Sequence, residues 1–318
     1  MRGLHLIAEF HRTPWGLLPD TLAAMQSVLY RWASGARLSQ EEIRAAVGDA
    51  PEISAARRDR ASSVSSGAIA VLPIYGVIGH RASLVADSSS GVNTSTEVLG
   101  NEFRALMNDP GIAGIVLDVD SPGGSVHGIQ ELAQTIYAAR GVKPVSAVAN
   151  SLAASAAYWL ASCAEELAIT PGGQAGSIGV LAMHTDESKM MEAAGVKTTL
   201  ISAGKYKVEG NPYEPLGAEA QAFLQSKVDD YYGEFVRDVA RNRKDTQTSV
   251  REGYGQGRVL IGASAVKANL ADRVATLDQV IADMQAKVRA NAGARAGGEP
   301  VQMSALSRKR DLEILNLG

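Results

Sequence analysis

Apolar positions along this chain change their spacing several times, and each change marks an element. Leu22, Met25, Val28, Leu29 and Trp32 recur at three- and four-residue steps, the period of an amphipathic helix. Ile43, Ala46 and Val47 repeat that period behind Ser39-Gln-Glu-Glu42, a capping-box pattern. Residues 54–67 lose it to Ala, Arg and Ser and read as a linker. At Ala68 the texture becomes β-rich, with AIAVLPIYGVIG at 68–79. A polar loop at 88–96 and a short helix at 97–107 follow. GIVLDVD at 114–120 is then a continuous apolar run, as in strands buried on both faces.

Strands and helices alternate from there. A helix behind residues 121–124 puts Ile129, Leu132, Ala133, Ile136 and Tyr137 on one face. A strand at 144–149 leads towards a helix after Ser155. Further strands are expected at 166–170, 177–183 and 196–202, with a Pro-Gly-Gly turn at 171–173 and a helix near 187–194. One long amphipathic helix at 216–243 carries Leu224, Val228, Tyr231, Phe235 and Val239, and segments 259–274 and 277–288 complete the core. The alternation predicts an α/β domain around a mostly parallel sheet, spanning 65–288. Residues 1–64 are then a helical N-terminal extension and linker, and 289–318 a flexible basic tail.

Composition narrows the function classes. The net charge of -3 carries no basic excess, and the cluster Arg57, Arg58, Arg60 has no aromatic partners, so no nucleic-acid partner is expected. Cys163 is the single cysteine, which excludes an intrachain disulfide; it reads as a small buried hydrophobe on the helix after Ser155. His11, Arg12, Pro14 and Asp20 interrupt any signal-peptide core, and no apolar run is long enough to span a bilayer. The expectation is a soluble protein without a membrane partner that stays where it is made. No His/Cys/Asp cluster has ligand spacing, so neither metal nor cofactor is expected.

In α/β sheets, sites form beyond the carboxyl ends of the strands. Three loops are expected there, at 121–125, 150–155 and 203–215. The first, Ser121-Pro-Gly-Gly124, offers amides that can face a developing oxyanion, and equally fits an ordinary strand-to-helix turn. The second places Ser155 among small residues in NSLAASAAYWLAS (150–162), a hydroxyl that needs a base. The third offers Lys205 and Lys207. A lysine base needs its pKa lowered by roughly three units, about 4 kcal/mol, which an apolar pocket can supply. Ser177, opening an apolar segment, is a neutral hydroxyl able to hold such an amine. His184, with Asp186 nearby, is the rival base of a Ser-His-Asp set. Spacing alone does not choose among the three.

DVDSPGGSV, NSLAASAAYWLAS, AGSIGV and SAGKYKVEGNPYEPL, in this order, resemble the signal-peptide-peptidase-A (SppA) family of serine peptidases. The KVEGNPY stretch, the helix after it and the ending at 257–272 are most similar to the branch of head-maturation (capsid) proteases of tailed phages and prophages. The resemblance covers residues 66–285. It implies a ClpP/crotonase-like fold of repeated ββα units and a Ser/Lys dyad. Ser155 would be the nucleophile, Lys207 the general base and Ser177 the hydroxyl that orients the lysine. Gly124 and the amide of Ala156 would form the oxyanion hole. It further implies a serine endopeptidase that cleaves scaffold and other head proteins, working in the bacterial cytoplasm within the procapsid. A homo-oligomeric ring with shared active sites is expected. Cellular SppA members carry an N-terminal membrane anchor that this sequence lacks, and some phage relatives continue into a scaffold segment near where it stops. The alternatives are an SppA-like cytoplasmic peptide-degrading peptidase, a crotonase-type acyl-CoA enzyme using the glycine amides, and an inactive assembly protein of the same fold.

Overall fold

Three apolar strands lie parallel and in register at the centre of the molecule: β2 (Ala68–Tyr75), β5 (Ile112–Ser121) and β7 (Val145–Ala154). The computed structural model describes residues 13–33, 68–80 and 94–297, together with Ile7, Phe10 and His11. The repeat around Ile43, the linker with Arg57, Arg58 and Arg60, most of the loop at 88–96 and the tail beyond Gly297 lie outside the described residues.

Period-two alternation explains why the central strands are apolar throughout. Ile115, Leu117 and Val119 of β5 face one side, packed beneath the helices Thr96–Asn108 (α2), Ile129–Ala138 (α3), Ala156–Ser162 (α4) and Ala218–Arg243 (α6). Val116, with Val148 of β7, faces the other side and meets Val280 and Met284 of the helix Leu277–Gly297 (α9). Three short helices, Ser188–Ala193 (α5), Gln247–Gly253 (α7) and Gly262–Lys267 (α8), come between these in the chain. Layers on both faces of a parallel sheet are the expected α/β arrangement. Strand β7 then forks. Its residues 146–149 pair with β8 (Glu166–Ile169) and residues 152–154 with β9 (Gln174–Gly176). Strands β10 (Val259–Ile261), antiparallel on β9, and β11 (Arg273–Val274), parallel on β8, close the two branches. At the fork, buried Asp118 accepts hydrogen bonds from the Tyr75 hydroxyl and from Asn150 Nδ2 (2.9 Å), tying the ends of the three central strands together.

A second sheet stands at the carboxyl end of β5, in the order β1 (Trp15–Leu17), β6 (Gly123–Ser125), β3 (Ile78–Gly79), β4 (Thr94–Ser95). Helix α1 (Pro19–Ala33) follows β1 directly; Pro19 suits a first helical position and Asp20 the positive end of the helix. Phe10, Trp15, Leu17 and Leu22 form their own cluster with Val77, flanked by Met25, Leu29, Leu181 and Met183.

The α/β class and the parallel sheet match the expectation, and several details differ. The strand expected at 144–149 continues to Ala154, because Asn150 reaches inward to Asp118 instead of leaving the sheet. The strand expected at 177–183 lies earlier, at Gln174–Gly176; beyond it only Leu181 pairs, with Trp15. Residues 196–202 form no strand, and Val196, Leu200 and Ile201 are exposed, Ile201 by 97%. Only Val196, Leu200 and Ile201 of this segment are apolar, too few and too irregularly spaced for the period-two face of a half-buried strand. The N-terminal extension is not wholly helical, since residues 15–17 form a strand of the second sheet. Helix α9 runs to Gly297, past the expected end at 288.

Candidate active site

Ser155 stands alone between β7 and α4. Its backbone (φ 53°, ψ -119°) lies in the left-handed half of conformational space, which a non-glycine residue occupies only when its surroundings over-determine it. They do. Its amide donates to the Gly176 carbonyl (2.8 Å), and its carbonyl accepts the first helical bond, from Trp159 N (2.9 Å). Ala153, Ala154, Ala156 and Ala157 are fully buried, so small side chains let the turn sit against β9. The Ser155 hydroxyl donates to the carbonyl of Gly179 (3.2 Å), and the residue is 1% exposed.

Helix α4 has only seven residues, and most of its stability comes from tertiary contacts. Trp159 stacks on Phe235 of α6 (ring centroids 4.6 Å, planes 6° apart), and its Nε1 donates to buried Asp238 (2.9 Å). An aromatic pair of this kind adds about 1 kcal/mol beyond its area burial. At the other end Arg140 donates to the carbonyls of Ser162 (3.0 Å), Cys163 (2.8 Å) and Ala164 (2.5 Å), which otherwise lack partners at a helix end.

Gly123 and Gly124 do not open a helix, as the sequence suggested; they form β6, and close contact requires both. A Cβ at Gly124 would lie 1.9 Å from the Ile78 carbonyl oxygen. At Gly123 (φ 101°) it would lie 2.1 Å from the Gly16 carbonyl oxygen and 3.1 Å from Ser155 Cβ. Ser121 fixes this turn: its hydroxyl donates to the Gly76 carbonyl (2.6 Å) and accepts from Gly123 N (3.2 Å). The glycine pair is thereby held beside the serine. Ala156, the residue after Ser155, is buried at the first position of α4.

Among the described residues none of the other candidate side chains bonds Ser155, although Ser177 follows Gly176, which holds the Ser155 amide. Ser177 is buried, with φ 54° and its amide bound to the Arg258 carbonyl (2.8 Å). Lys207 lies exposed on a turn at 203–210, and among the described residues its amine bonds neither Ser155 nor Ser177. Lys205 donates to the Tyr206 hydroxyl (2.7 Å) and to Glu219 (3.0 Å), and these bonds raise its pKa. His184 Nε2 pairs with the Asn211 carbonyl (3.0 Å), and Asp186 accepts from Ser188 N (2.9 Å), so the rival Ser-His-Asp set is not assembled. Asn211, in the middle of KVEGNPY, is a buried anchor: its side chain donates to Val208 O (2.8 Å) and Glu214 (2.7 Å).

Sequence reasoning missed Gly16. A Cβ there would lie 3.3 Å from Ser155 Oγ and 3.4 Å from the Ala156 amide nitrogen, so β1 covers the serine. The available signal was a short apolar run, Trp15-Gly-Leu-Leu18, bracketed by Pro14 and Pro19. Also missed were Gly176 and Gly179, whose carbonyls hold the amide and the hydroxyl of Ser155. Among the described residues no group of three or more His, Cys, Asp or Glu could hold a metal ion. None of the described helices is long and apolar enough to cross a membrane.

Residues 138–291, which include Ser155, Ala156, Ser177 and Lys207, match Peptidase family S49. The chain carries an S49 peptidase domain. It is 33% identical over 266 residues to capsid assembly protease C of Escherichia phage lambda, covering 83% of this chain and 59% of that protein. It is also 33% identical over 313 residues to head-tail preconnector protein GP5 of Enterobacteria phage P21, covering 95% and 60%. The chain thus spans about 60% of the length of these curated relatives. Among solved structures, a single-residue mutant of ClpP1 from Listeria monocytogenes overlaps 66% of this chain and 94% of its own, with 14% identity and a TM-score of 0.39. The S49 domain bears out the resemblance to SppA-like and phage capsid peptidases.

Proposed function

We propose that this chain is a serine endopeptidase in which Ser155 attacks the scissile carbonyl and Lys207 takes its proton. The observation that carries the reading is the strained, buried Ser155 held against Gly123–Gly124 by bonds from both sides. A free hydroxyl is a weak nucleophile and needs a base within hydrogen-bond reach. Proton transfer to a neutral lysine leaves an alkoxide that adds to the carbonyl, and amides of Gly124 and Ala156 bind the resulting oxyanion. The protonated lysine then donates to the leaving amine, and the acyl-enzyme is hydrolysed by water that the same lysine activates. Ser177 is assigned to orient the lysine.

Lys207 is preferred to Lys205 on chemical grounds. Lys205 is engaged by Tyr206 and the Glu219 carboxylate, which favours its charged form, the opposite of what a base requires. Lys207 has no such partner among the described residues. Its exposed position in a single chain supports a second part of the reading: the lysine acts at the serine of a neighbouring subunit in a ring. The segment at 196–202, just before the lysine loop, is outside any sheet and exposes Val196, Leu200 and Ile201, as suits a surface that meets another copy. Mixed oligomers of Ser155→Ala and Lys207→Ala chains should recover activity that neither has alone; demonstrably mixed but inert oligomers would refute sharing.

The names of the phage relatives point to capsid and head proteins as substrates and to the procapsid, in the host cytoplasm, as the place of action. Co-expression with the adjacent head proteins, wild type against Ser155→Ala, tests this. New serine-dependent termini in those proteins are expected, and identical termini in both samples would remove the assignment.

A further inference from the structure

Strand β1 lies where an extended peptide would have to lie to reach Ser155. On one side it pairs antiparallel with β6, in the register Trp15 to Ser125, Gly16 to Gly124 and Leu17 to Gly123. Leu18 N donates to the Pro122 carbonyl (3.2 Å) and Val126 N to the Pro14 carbonyl (3.3 Å), extending that pairing at both ends. On the other side Trp15 N donates to Leu181 O (2.8 Å) and Leu181 N to Trp15 O (2.9 Å). Three residues of backbone thus fill a slot, paired along β6 on one wall and bridged at Trp15–Leu181 on the other. The floor of that slot is the nucleophile: Gly16 faces Ser155 Oγ and the Ala156 amide, closely enough that a side chain at 16 would touch both.

A substrate that adds a strand to a sheet edge relies on main-chain hydrogen bonds from that edge. Here β6 and Leu181 have spent them on the chain's own residues 14–18. We infer that Trp15–Leu17 is an internal strand seated in the peptide slot, which blocks Ser155 until an incoming peptide displaces it. The inference rests on the reading of Ser155 as the nucleophile. Side chains hold the block in place: Trp15 and Leu17 are buried with Phe10, Leu22 and Val77, and Trp15 Nε1 donates to the Phe10 carbonyl (3.0 Å). The strand is nonetheless three residues long and lies at the edge of a small sheet, where local opening costs far less than global unfolding. A longer peptide making the same backbone bonds can compete with it.

The test reads access to position 155 without requiring catalysis. In the full chain carrying Ser155→Cys, iodoacetamide reports how often that position is uncovered. Cys163 gives no background, being fully buried with its thiol pushed up to about 12 by that burial. Adding Leu17→Ser or Trp15→Asp should speed alkylation by about tenfold or more, as expected when a local opening is made easier. A synthetic peptide of residues 13–18 should slow it again. Unchanged rates in either variant, with circular dichroism showing the fold intact, would overturn the inference. Hydrogen exchange on the unsubstituted chain gives a reading that needs no variant. Amides of Trp15 and Leu181 should exchange together and well before those of Val116 and Val148, and equal protection would overturn the block. So would a serine-dependent new N terminus within residues 16–18, which would make the segment a substrate. Because alkylation involves neither Lys207 nor peptide hydrolysis, failure of the peptidase reading and failure of the block give different results.

Discussion

The two halves of the proposed dyad are held very differently. Ser155 is fixed by a bond to β9, by small buried neighbours and by α4, which Asp238 fastens at its middle and Arg140 at its carboxyl end. Lys207 sits on an exposed turn, and the nearest firm anchor of its loop is Asn211, bound to Val208, Glu214 and His184. In the proposed reading, the serine is fully built within one chain and the lysine lies exposed. If the proposed sharing holds, such a division would keep the single chain silent and couple its chemistry to assembly.

The largest expected effects break each half in turn. Ser155→Ala should abolish cleavage, a loss of about 10⁴-fold or more, and Lys207→Ala should do the same. Their stabilities should stay alike: Lys207→Ala, at an exposed turn, should leave the melting temperature unchanged. Ser155→Ala keeps the strained backbone, so its melting temperature should also stay near the wild type, and a large fall would mean that the hydroxyl is structural. Next comes the wall beside the serine. Gly124→Ala puts a methyl 1.9 Å from the Ile78 carbonyl oxygen, so β3 or β6 must move. We expect a cost of about 1–3 kcal/mol, as for overpacked sites, and a fall in kcat larger than that in substrate affinity.

A pH effect of intermediate size bears on the segment that covers the serine. His11 packs beside Tyr30 of α1 and the loop bearing His184, Thr185 and Glu187. Burial lowers its pKa, Glu187 opposes that shift and His184 adds to it. The folded state therefore binds the proton less readily than the unfolded state. This costs nothing well above the unfolded value near 6.5, where both states are neutral, and destabilises the folded state progressively as pH falls from that value through the lower folded one. Acidification from about pH 7.5 to about 5.5, across that value, should loosen residues 7–33 before the central sheet, read by hydrogen exchange; His11→Gln should flatten that dependence. The smallest effects should come from the rejected bases. Lys205→Ala and His184→Ala should each keep activity within about threefold of wild type, under half of a tenfold step in barrier terms. A collapse of activity in Lys205→Ala would reverse the choice of base.

Much of this architecture was legible in the chain. The periodic apolar faces of α1, α3 and α6 and the unbroken run of β5 are local signals, and they gave elements close to those observed. Asn150 and Ser151 read as a loop because a polar pair inside a strand makes sense only once Asp118 is opposite. Strand β1 was invisible for a related reason: three residues between prolines show no period, and their partners lie on β6 and at Leu181, far along the chain. At the site, small residues around a serine marked Ser155, and the glycine pair marked the wall beside it. The base could not be read from residue types, since Lys205 and Lys207 differ only in the company that the fold gives them.

Helix α6 carries a mechanical consequence. Its carboxyl half is sunk in the core through Phe235, Val236 and Val239, and is clasped to α4 by Trp159 and Asp238. Residues 221–230 stand largely clear of the body, with Leu224 and Val228 only half covered and Phe223 52% exposed. At 1.5 Å per residue this free part is about 15 Å long. Its tip holds Glu219, and Glu219 grips Lys205, two residues from Lys207. The free part therefore runs from the clasp on α4 to the lysine loop, which it meets through the exposed Lys205–Glu219 pair. In the proposed ring, a neighbour that grips the free part would touch the helix that holds Glu219 and not the one that follows Ser155.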